Sequence, residues 1–130
     1  MIETIKHFFK KPAGDKNIIA AKVLKIEKHP NADRLQLVSV TDGTITHEPI
    51  VCGANNFKVG DIVALALPGA LIARNIHSDL HEPFTLEKAK IRGIESQGMI
   101  CAAFEIGKSK EIGEGIMILP STIPLGKMIA

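Results

Sequence analysis

The sequence of 130 residues contains no tryptophan, no tyrosine and only five phenylalanines. Proteins that bind single-stranded nucleic acids without sequence preference usually stack the bases on exposed aromatic side chains. Two of the five rings, Phe8 and Phe9, lie in the N-terminal segment, so few remain to form such a surface. The composition therefore disfavours a base-stacking protein and leaves phosphates, riboses and overall shape as the means of recognising any RNA.

Long apolar runs are also missing. The longest run, Ile62–Leu67, has six residues, whereas a helix that spans a membrane needs about 20. The first residues, 1–11, contain Glu3 and three lysines, and no apolar run or small-residue cleavage site follows them. No secretory signal is predicted, and we expect a soluble, cytoplasmic protein with no membrane partner.

Cysteine is scarce as well. The chain has two cysteines, Cys52 and Cys101, which are far apart in the sequence. Structural disulfides belong mainly to oxidising compartments, and free cysteines are among the most buried residues of folded proteins. We therefore expect two buried, reduced thiols and no disulfide.

Motifs for catalysis and cofactor binding do not occur. The sequence contains neither GxxxxGK[ST] nor GxGxxG, the signatures of two common phosphate-binding loops. His77 and His81 stand four residues apart, but they lie in a polar segment without further ligands at zinc-like spacing. We expect no catalytic residue, no cofactor and no metal. A small metal-dependent enzyme that uses these two histidines is the enzymatic alternative.

The overall composition is that of one globular domain. Hydrophobic residues make up 45% and charged residues 23% of the chain, whose length suits a single hydrophobic core. Four apolar residues recur at helical spacing before a Pro-Ala-Gly stop: Ile2, Ile5, Phe8 and Phe9. We therefore divide the chain into an N-terminal helix with its linker, residues 1–17, and a domain, residues 18–130.

From residue 18 onward, short β-rich runs are separated by turn residues. Strands are predicted at Ile18–Glu27, Leu35–Thr41, Ile50–Cys52, Asp61–Leu67, Lys88–Ile91 and Ile116–Leu119. The pair Asp42-Gly43 favours a hairpin between the second and third of these strands. Short strands at this spacing, with no long helix between them, predict a mainly β fold in the form of a small closed or half-closed barrel.

The strongest candidate site in the sequence is a run of alternating cations. Because successive side chains of a strand point to opposite faces, Lys88, Lys90 and Arg92 are predicted to share one face. A row of phosphates would relieve their mutual repulsion and release counterions on binding. The net charge of +2 does not by itself indicate such a partner. The alternative is a solvated strand face that the neighbouring Glu87 and Glu95 neutralise.

Two polar loops offer further hydrogen-bonding groups. In the first, Gly93–Cys101, two glycines flank Ser96 and Gln97. The second, Cys52–Lys58, contains the amides of Asn55 and Asn56. Such groups can bind a sugar or a base edge, or they can cap their own turns.

Four segments stand out as a set: HPNADRL at 29–35, IVCGANN at 50–56, ALPGA at 66–70 and KIRGIESQGMIC at 90–101. In this order they resemble the tRNA-binding OB domain family. Members of that family occur in bacterial phenylalanyl-tRNA synthetase beta chains, at the end of many methionyl-tRNA synthetases and as free-standing proteins. The resemblance covers residues 18–126.

Within the family, the sequence is most similar to the phenylalanyl beta-chain branch, through Cys101, the Glu-Ile-Gly at 105–107 and the segment at 115–120. Two features depart from it. Ala102-Ala103 resembles the methionyl and free-standing branch, and residues 1–17 do not match the usual beginning of the beta chain. A beta-chain domain and an independent, dimeric tRNA-binding protein therefore both stay open.

The resemblance implies a five-stranded OB-fold barrel with extra C-terminal strands. It also implies a non-catalytic role in tRNA capture for protein biosynthesis, with aminoacylation performed elsewhere in the aminoacyl-tRNA synthetase. The partners would be tRNA and either other domains or subunits of the synthetase or a second copy of the chain. An OB domain that docks proteins within a synthetase, without touching tRNA, is the alternative.

The resemblance places five residues on or beside the RNA-facing surface: Asn55, Lys90, Arg92, Ser96 and Met99. Lys88 joins them through the strand alternation alone, and Lys28 and Arg34 are candidate phosphate contacts beside the turn that follows the first strand. Met99 is equally suited to packing the barrel. The turn itself is expected to be shaped by His29, Asn31 and Asp33.

Overall fold

Ten β-strands make up the secondary structure of residues 16–113 and 115–129, the part of the chain that the computed structural model describes. That part contains no helix, and therefore none long and apolar enough to cross a membrane. The predicted N-terminal helix lies outside the described residues. The strands are β1 (Ile18–Lys28), β2 (Gln36–Thr41), β3 (Thr46–Cys52), β4 (Ile62–Ala66), β5 (Leu71–Ile72), β6 (Phe84–Thr85), β7 (Ala89–Ile91), β8 (Ile94–Ser96), β9 (Met99–Ile100) and β10 (Ile118–Leu119).

The mainly β fold predicted from the sequence is confirmed. The six predicted runs overlap β1, β2, β3, β4, β7 and β10. The hairpin at Asp42-Gly43 is also confirmed, since β2 and β3 pair antiparallel around it and Gly43 has a φ of 96°. The other four strands have two or three residues each and were not predicted; β8 and β9 lie in the segment 93–101, which was interpreted as a polar loop.

The main sheet bends at a bulge in β1. Its strands are antiparallel in the order β10-β4-β1-β2-β3, and β9 also pairs with β4. The first half of β1 pairs with β4 and the second half with β2. Between these halves the register shifts from Val23 to Lys25, with Leu24 exposed at the irregularity. A bulge increases local twist and bends the strand, so β1 carries the sheet around a curve.

The expectation of a closed, five-stranded barrel needs correction, because the six-stranded sheet in the described part does not close into a continuous ladder. The β3 edge is joined to the chain around β8 and β9 by two hydrogen bonds. Gln97 N–H donates to the carbonyl of Pro49 at 2.9 Å, and Val51 N–H donates to Ser96 Oγ at 2.9 Å. Proline has no N–H to return to a partner strand, which is why single bonds replace a ladder here.

Two apolar clusters form on the two faces of β4, which is buried along its whole length. Val63 and Leu65 pack against residues of β1, β2 and β3. Ala64 and Ala66 pack in the second cluster, which includes Ile129 near the C-terminus. The C-terminal segment therefore completes the core. In place of long extra strands it contributes β10 and a single bridge between Ile19 and Met128.

Both cysteines are free and buried, which confirms the prediction of reduced internal thiols. Removal from water raises the pKa of Cys52 and of Cys101, because burial disfavours the charged thiolate. Since the thiolate is the nucleophile of cysteine, neither side chain is prepared for nucleophilic chemistry.

Candidate functional site

Three neighbouring strands of the main sheet terminate at the same end. Lys28 of β1 lies opposite Gln36 of β2, and Gln36 lies opposite Cys52 of β3. Arg34 stands just before β2, and Asn55 follows β3 after a short stretch of loop. Lys28, Arg34 and Asn55, three of the predicted site residues, are therefore gathered at this end of the sheet, where all three are exposed.

The run of alternating cations forms a small hairpin. β7 pairs with β8, with Lys90 opposite Glu95 and Ile91 opposite Ile94. Arg92 and Gly93 make the turn between them, both with positive φ, 54° and 91°. Two residues of positive φ match the right-handed twist of the strands they connect.

The prediction that Lys88, Lys90 and Arg92 share one face of a strand is therefore wrong for Arg92, which is a turn residue with a left-handed backbone. Lys88 precedes β7, and Lys90 lies within it. All three side chains are exposed. The three cations are close in sequence, but Arg92 lies at the tip of the hairpin and not on the face of a strand.

The hairpin tip is attached to the turn after β1. The buried ring of His29 forms a hydrogen bond from Nε2 to the carbonyl oxygen of Ile91 at 3.0 Å. Asn31 Nδ2 donates to the carbonyl oxygen of Arg92 at 3.0 Å, and Arg92 Nη2 donates to the carbonyl oxygen of Asn31 at 3.4 Å. Lys90 and Arg92 are thus brought to the end of the sheet that carries Lys28 and Arg34. We call this group of four residues the basic end.

The root of the hairpin is attached to β3 through Ser96, which is only 4% exposed. Its Oγ accepts the Val51 N–H and donates to the carbonyl oxygen of Gly98 at 2.8 Å. The hydroxyl is therefore enclosed and its proton is used within the protein, and a place for Ser96 beside an RNA-facing surface stays a prediction.

The two asparagines of the loop after β3 differ in their surroundings. Asn56 uses both ends of its amide on one partner: Nδ2 donates to the carbonyl oxygen of Ile116 and Oδ1 accepts the Ile116 N–H, each at 3.0 Å. Asn55 is exposed. Asn56 therefore holds the loop to the C-terminal segment, while the amide of Asn55 faces solvent.

Met99 is half-buried and lies in β9, opposite Ala66 of β4. Its side chain packs against the second apolar cluster. This supports the packing role that was the alternative for Met99, and contact with RNA stays a prediction.

The cations of the basic end are weakly compensated. Lys28 Nζ lies 3.8 Å from Asp33 Oδ1, between side chains that are 72% and 96% exposed, and such a pair contributes little. Within the described residues, no carboxylate lies within ion-pair distance of Arg34, Lys90 or Arg92. Glu95 nevertheless stands opposite Lys90 across the hairpin, so a neutralised strand face stays open as the alternative to a phosphate site.

The histidine segment has a packing role. The ring of His81 meets the ring of Phe104 edge-on with centroids 5.2 Å apart, and Arg74 lies over the same ring at 4.9 Å. Across residues 16–113 and 115–129, no three His, Cys, Asp or Glu side chains are grouped as metal ligands.

Sequence reasoning assigned His29 and Asn31 only to the shape of their own turn. The Asn31 N–H does donate to His29 Nδ1 at 3.0 Å, which confirms that role for both residues. Their bonds to the hairpin were missed. The partners, Ile91 and Arg92, are 61 to 62 residues away in sequence, and no local pattern indicates such a contact.

Comparison with known proteins gives a consistent result. Residues 18–128 match the family model described as "Putative tRNA binding domain". The chain is 42% identical over 114 residues to the phenylalanine–tRNA ligase beta subunit of Bdellovibrio bacteriovorus, covering 88% of this chain and 13% of that protein. It is 45% identical over 118 residues to the beta subunit of Dechloromonas aromatica, covering 91% and 14%. The chain thus spans about one seventh of the length of these relatives.

Among solved structures, the fold is similar to that of the MetRS related protein from Pyrococcus horikoshii. The two align with a TM-score of 0.61 over 97% of this chain and 95% of the other, at 19% sequence identity. At that identity the likeness concerns the fold alone.

Proposed function

The chain belongs to the tRNA-binding domain family, and from this membership we propose that it is a non-catalytic module which binds the backbone of a tRNA. It is homologous to part of the phenylalanine–tRNA ligase beta subunit. In our proposal it aids tRNA capture in the cytoplasm, next to other domains or subunits of such a ligase, and aminoacylation takes place elsewhere in that enzyme.

We assign the architecture to the OB-fold class. The β1 bulge bends the sheet, and the hydrogen bonds of Ser96 and Gln97 bring the β3 edge up to the chain around β9. Short antiparallel strands curled into a partly open barrel are typical of OB-folds, which bind oligonucleotides on one side.

The observation that carries the proposed function is the basic end. A hairpin bearing Lys90 and Arg92 is bonded to the turn between Lys28 and Arg34, and these four exposed cations lack strong internal partners in the described part of the chain. Cations that approach a phosphate backbone release condensed counterions, and this supplies affinity that does not depend on sequence.

The aromatic residues support recognition through phosphate and ribose. Phe57 and Phe104 are buried, and Phe84 is half-buried against the second apolar cluster. None of these three rings is available as an open stacking platform of the kind that single-strand binders use. Binding through backbone contacts and shape is the mode that suits folded RNA.

Arg92 adds an independent argument. A left-handed backbone costs a residue with a β-carbon about 1 to 2 kcal/mol relative to glycine, yet an arginine occupies this position with a φ of 54°. Among residues 16–113 and 115–129, its side chain finds a single hydrogen-bond partner at a long 3.4 Å, which does not compensate for that cost. A contact with phosphate at the hairpin tip would account for an arginine here.

The proposal is tested by measuring tRNA affinity across a range of salt concentrations for two matched double variants. Lys90→Ala with Arg92→Ala removes the two exposed charges that the hairpin contributes to the basic end, and Lys22→Ala with Lys127→Ala removes two exposed charges from other parts of the fold. We expect the first variant to lose at least about tenfold in affinity at moderate salt. Its slope of log K against log salt should flatten by about one for each phosphate that the protein no longer neutralises.

The control variant should keep the wild-type slope. Equal decreases in the affinity of both variants would mean that only net charge matters, and an unchanged affinity of the hairpin variant would remove the basic end from the interface. If the wild type bound tRNA no better than an unrelated protein of equal charge, a protein-docking role within a synthetase would replace the proposal.

A further inference from the structure

Two residues outside the basic end connect the hairpin tip to the rest of the fold. His29 and Asn31 together direct two side-chain hydrogen bonds, each 3.0 Å long, to consecutive carbonyls, those of Ile91 and Arg92. A hairpin with strands of three residues is marginal on its own. The bonds at its tip therefore decide where the tip stands relative to the sheet.

The ring of His29 has one tautomer that satisfies both of its contacts. Nδ1 receives the backbone N–H of Asn31 at 3.0 Å and must present a lone pair there. The ring proton consequently resides on Nε2, which donates it to the carbonyl oxygen of Ile91. With 1% of the residue exposed, water cannot replace either bond without opening the site.

Asn31 packs on the turn as well as bonding to it. A β-carbon built on Gly93 would lie 3.5 Å from Asn31 Nδ2, so the amide stands beside the open side of this glycine. The Asn31 amide bonds to the backbone of Arg92, and the guanidinium of Arg92 bonds back to the carbonyl oxygen of Asn31. Arg92 is thus tied to Asn31 through both its backbone and its side chain.

The hairpin root, in contrast, is held without these two residues. Ser96 bonds to Val51 and Gln97 bonds to Pro49, and neither bond involves His29 or Asn31. Loss of the tip bonds should free the tip of the hairpin, with Lys90 and Arg92, while the base of the hairpin stays on β3. The fold would survive, but the hairpin cations would no longer be held at a fixed distance from the other two cations of the basic end.

We propose that His29 and Asn31 are positioning residues for RNA binding: they hold the hairpin tip so that Lys90 and Arg92 stand in register with Lys28 and Arg34 on one phosphate backbone. This inference rests on the proposed function. Because the bonds order the tip before RNA arrives, binding does not have to supply the ordering free energy, the usual benefit of a preorganised site.

A positioning residue and a residue that binds phosphate differ in their salt dependence. Removing a cation that binds phosphate lowers the number of released counterions and flattens the salt slope. Freeing the tip leaves every cation in place, so each of them can still reach its phosphate after an ordering step. The inference therefore predicts a lower affinity with an unchanged slope.

The first experiment measures tRNA binding against salt for Asn31→Ala, with Asn75→Ala as the matched control. Asn31 is exposed, so its replacement leaves the core intact, and the control removes an asparagine whose side chain, among the described residues, bonds only within its own turn, where Oδ1 accepts the His77 N–H at 2.9 Å. We expect Asn31→Ala to lose about five- to twentyfold in affinity with the wild-type slope. Asn75→Ala should bind as the wild type does.

The second experiment separates the bond to Ile91 from the bond within the turn. Glutamine at position 29 can place an N–H near the site of Nε2 and keep the donor to Ile91. Asparagine can place an oxygen near the site of Nδ1 and keep the turn, but it is too short to reach Ile91. We expect His29→Gln to keep tRNA affinity within about threefold of wild type and His29→Asn to lose at least as much as Asn31→Ala.

The outcomes distinguish the two proposals. If the wild type binds and the variant lacking Lys90 and Arg92 does not, the proposed function stands. Wild-type affinity in both Asn31→Ala and His29→Asn would then overturn the positioning role. A slope that flattens by about one in Asn31→Ala would overturn it too, because the residue would be contacting phosphate itself. Absence of specific binding by the wild type would end both proposals.

Discussion

The hydroxyl of Ser96 accepts the backbone N–H of Val51 at 2.9 Å. This bond joins β8 to β3, two strands that are not paired by a backbone ladder. Pro49, two residues earlier, offers only its carbonyl, which Gln97 uses. The curled sheet is therefore fastened by one side chain and one backbone bond. This arrangement makes the geometry of the hairpin dependent on the core.

Replacing Ser96 with alanine should destabilise the domain. The Val51 N–H is buried and would lose its acceptor, which costs about 1 to 3 kcal/mol of unfolding free energy. Urea denaturation monitored by circular dichroism measures this. Ser39→Ala is the control, because it removes an exposed serine hydroxyl whose bond runs to the Glu48 carboxylate at 2.6 Å and should change stability by less than about 1 kcal/mol. Equal stability of Ser96→Ala and the wild type would contradict the fastening role.

The neighbouring asparagines at 55 and 56 should separate binding from stability. Asn56→Ala removes both hydrogen bonds to Ile116 and is expected to lower the unfolding free energy by about 1 to 2 kcal/mol. Asn55→Ala should leave the unfolding free energy unchanged and weaken tRNA binding several-fold, since its amide faces solvent at the end of the sheet that carries the cations. Thermal melts and filter binding on the same preparations test both statements. Unchanged affinity in Asn55→Ala would remove this residue from the proposed interface.

Arg92→Asn should change stability and binding in opposite directions. Asparagine tolerates a left-handed backbone better than arginine, so the variant should be more stable by about 0.5 to 1 kcal/mol. Its tRNA affinity should fall, and the slope of log K against log salt should be flatter by about one. The measurements are a denaturation curve and a salt titration of binding. A variant that bound tRNA as the wild type does would show that Arg92 does not bind phosphate.

The pair Asp42 and His47 should make stability depend on acidity below pH 4. The hydrogen bond from His47, at 2.9 Å, together with backbone bonds from Ile45 and Thr44, lowers the pKa of Asp42 from 3.8 to about 2. A folded-state pKa below the unfolded value means that ionised Asp42 stabilises the fold above about pH 4. This contribution is lost as the pH falls through 2.

Because Asp42 lies at the edge of solvent, its pKa shift corresponds to about 1 to 2 kcal/mol of unfolding free energy. Urea denaturation between pH 5 and pH 2 should show that the unfolding free energy of the wild type falls by this amount relative to that of Asp42→Asn, which keeps an oxygen for the backbone donors. In His47→Gln, the unfolding free energy should depend less on pH over the same range. A constant difference between wild type and Asp42→Asn over this range would contradict the assignment.

Much of the strand pattern was visible without coordinates because it is local. The apolar runs of β1 and β4 and the turn at Asp42-Gly43 each reflect the preferences of residues close in sequence. The predictions that failed have a different origin. Extending strand alternation to Arg92 assumed that the strand continues, whereas the hairpin turns at that residue. The enclosure of Ser96 was not predicted either, because β8 packs on β3, which is remote in sequence.

Residue types and their order were sufficient to establish a mainly β chain, buried free thiols, the absence of common catalytic motifs and membership in a tRNA-binding family. Folding alone settled which polar groups are enclosed and which face solvent. The bonds of His29 with Ile91 and of Ser96 with Val51 join segments 62 and 45 residues apart. A hydrogen bond depends on distance and direction in space, and these are set only once the bulge in β1 and the packing on β4 have brought such segments together.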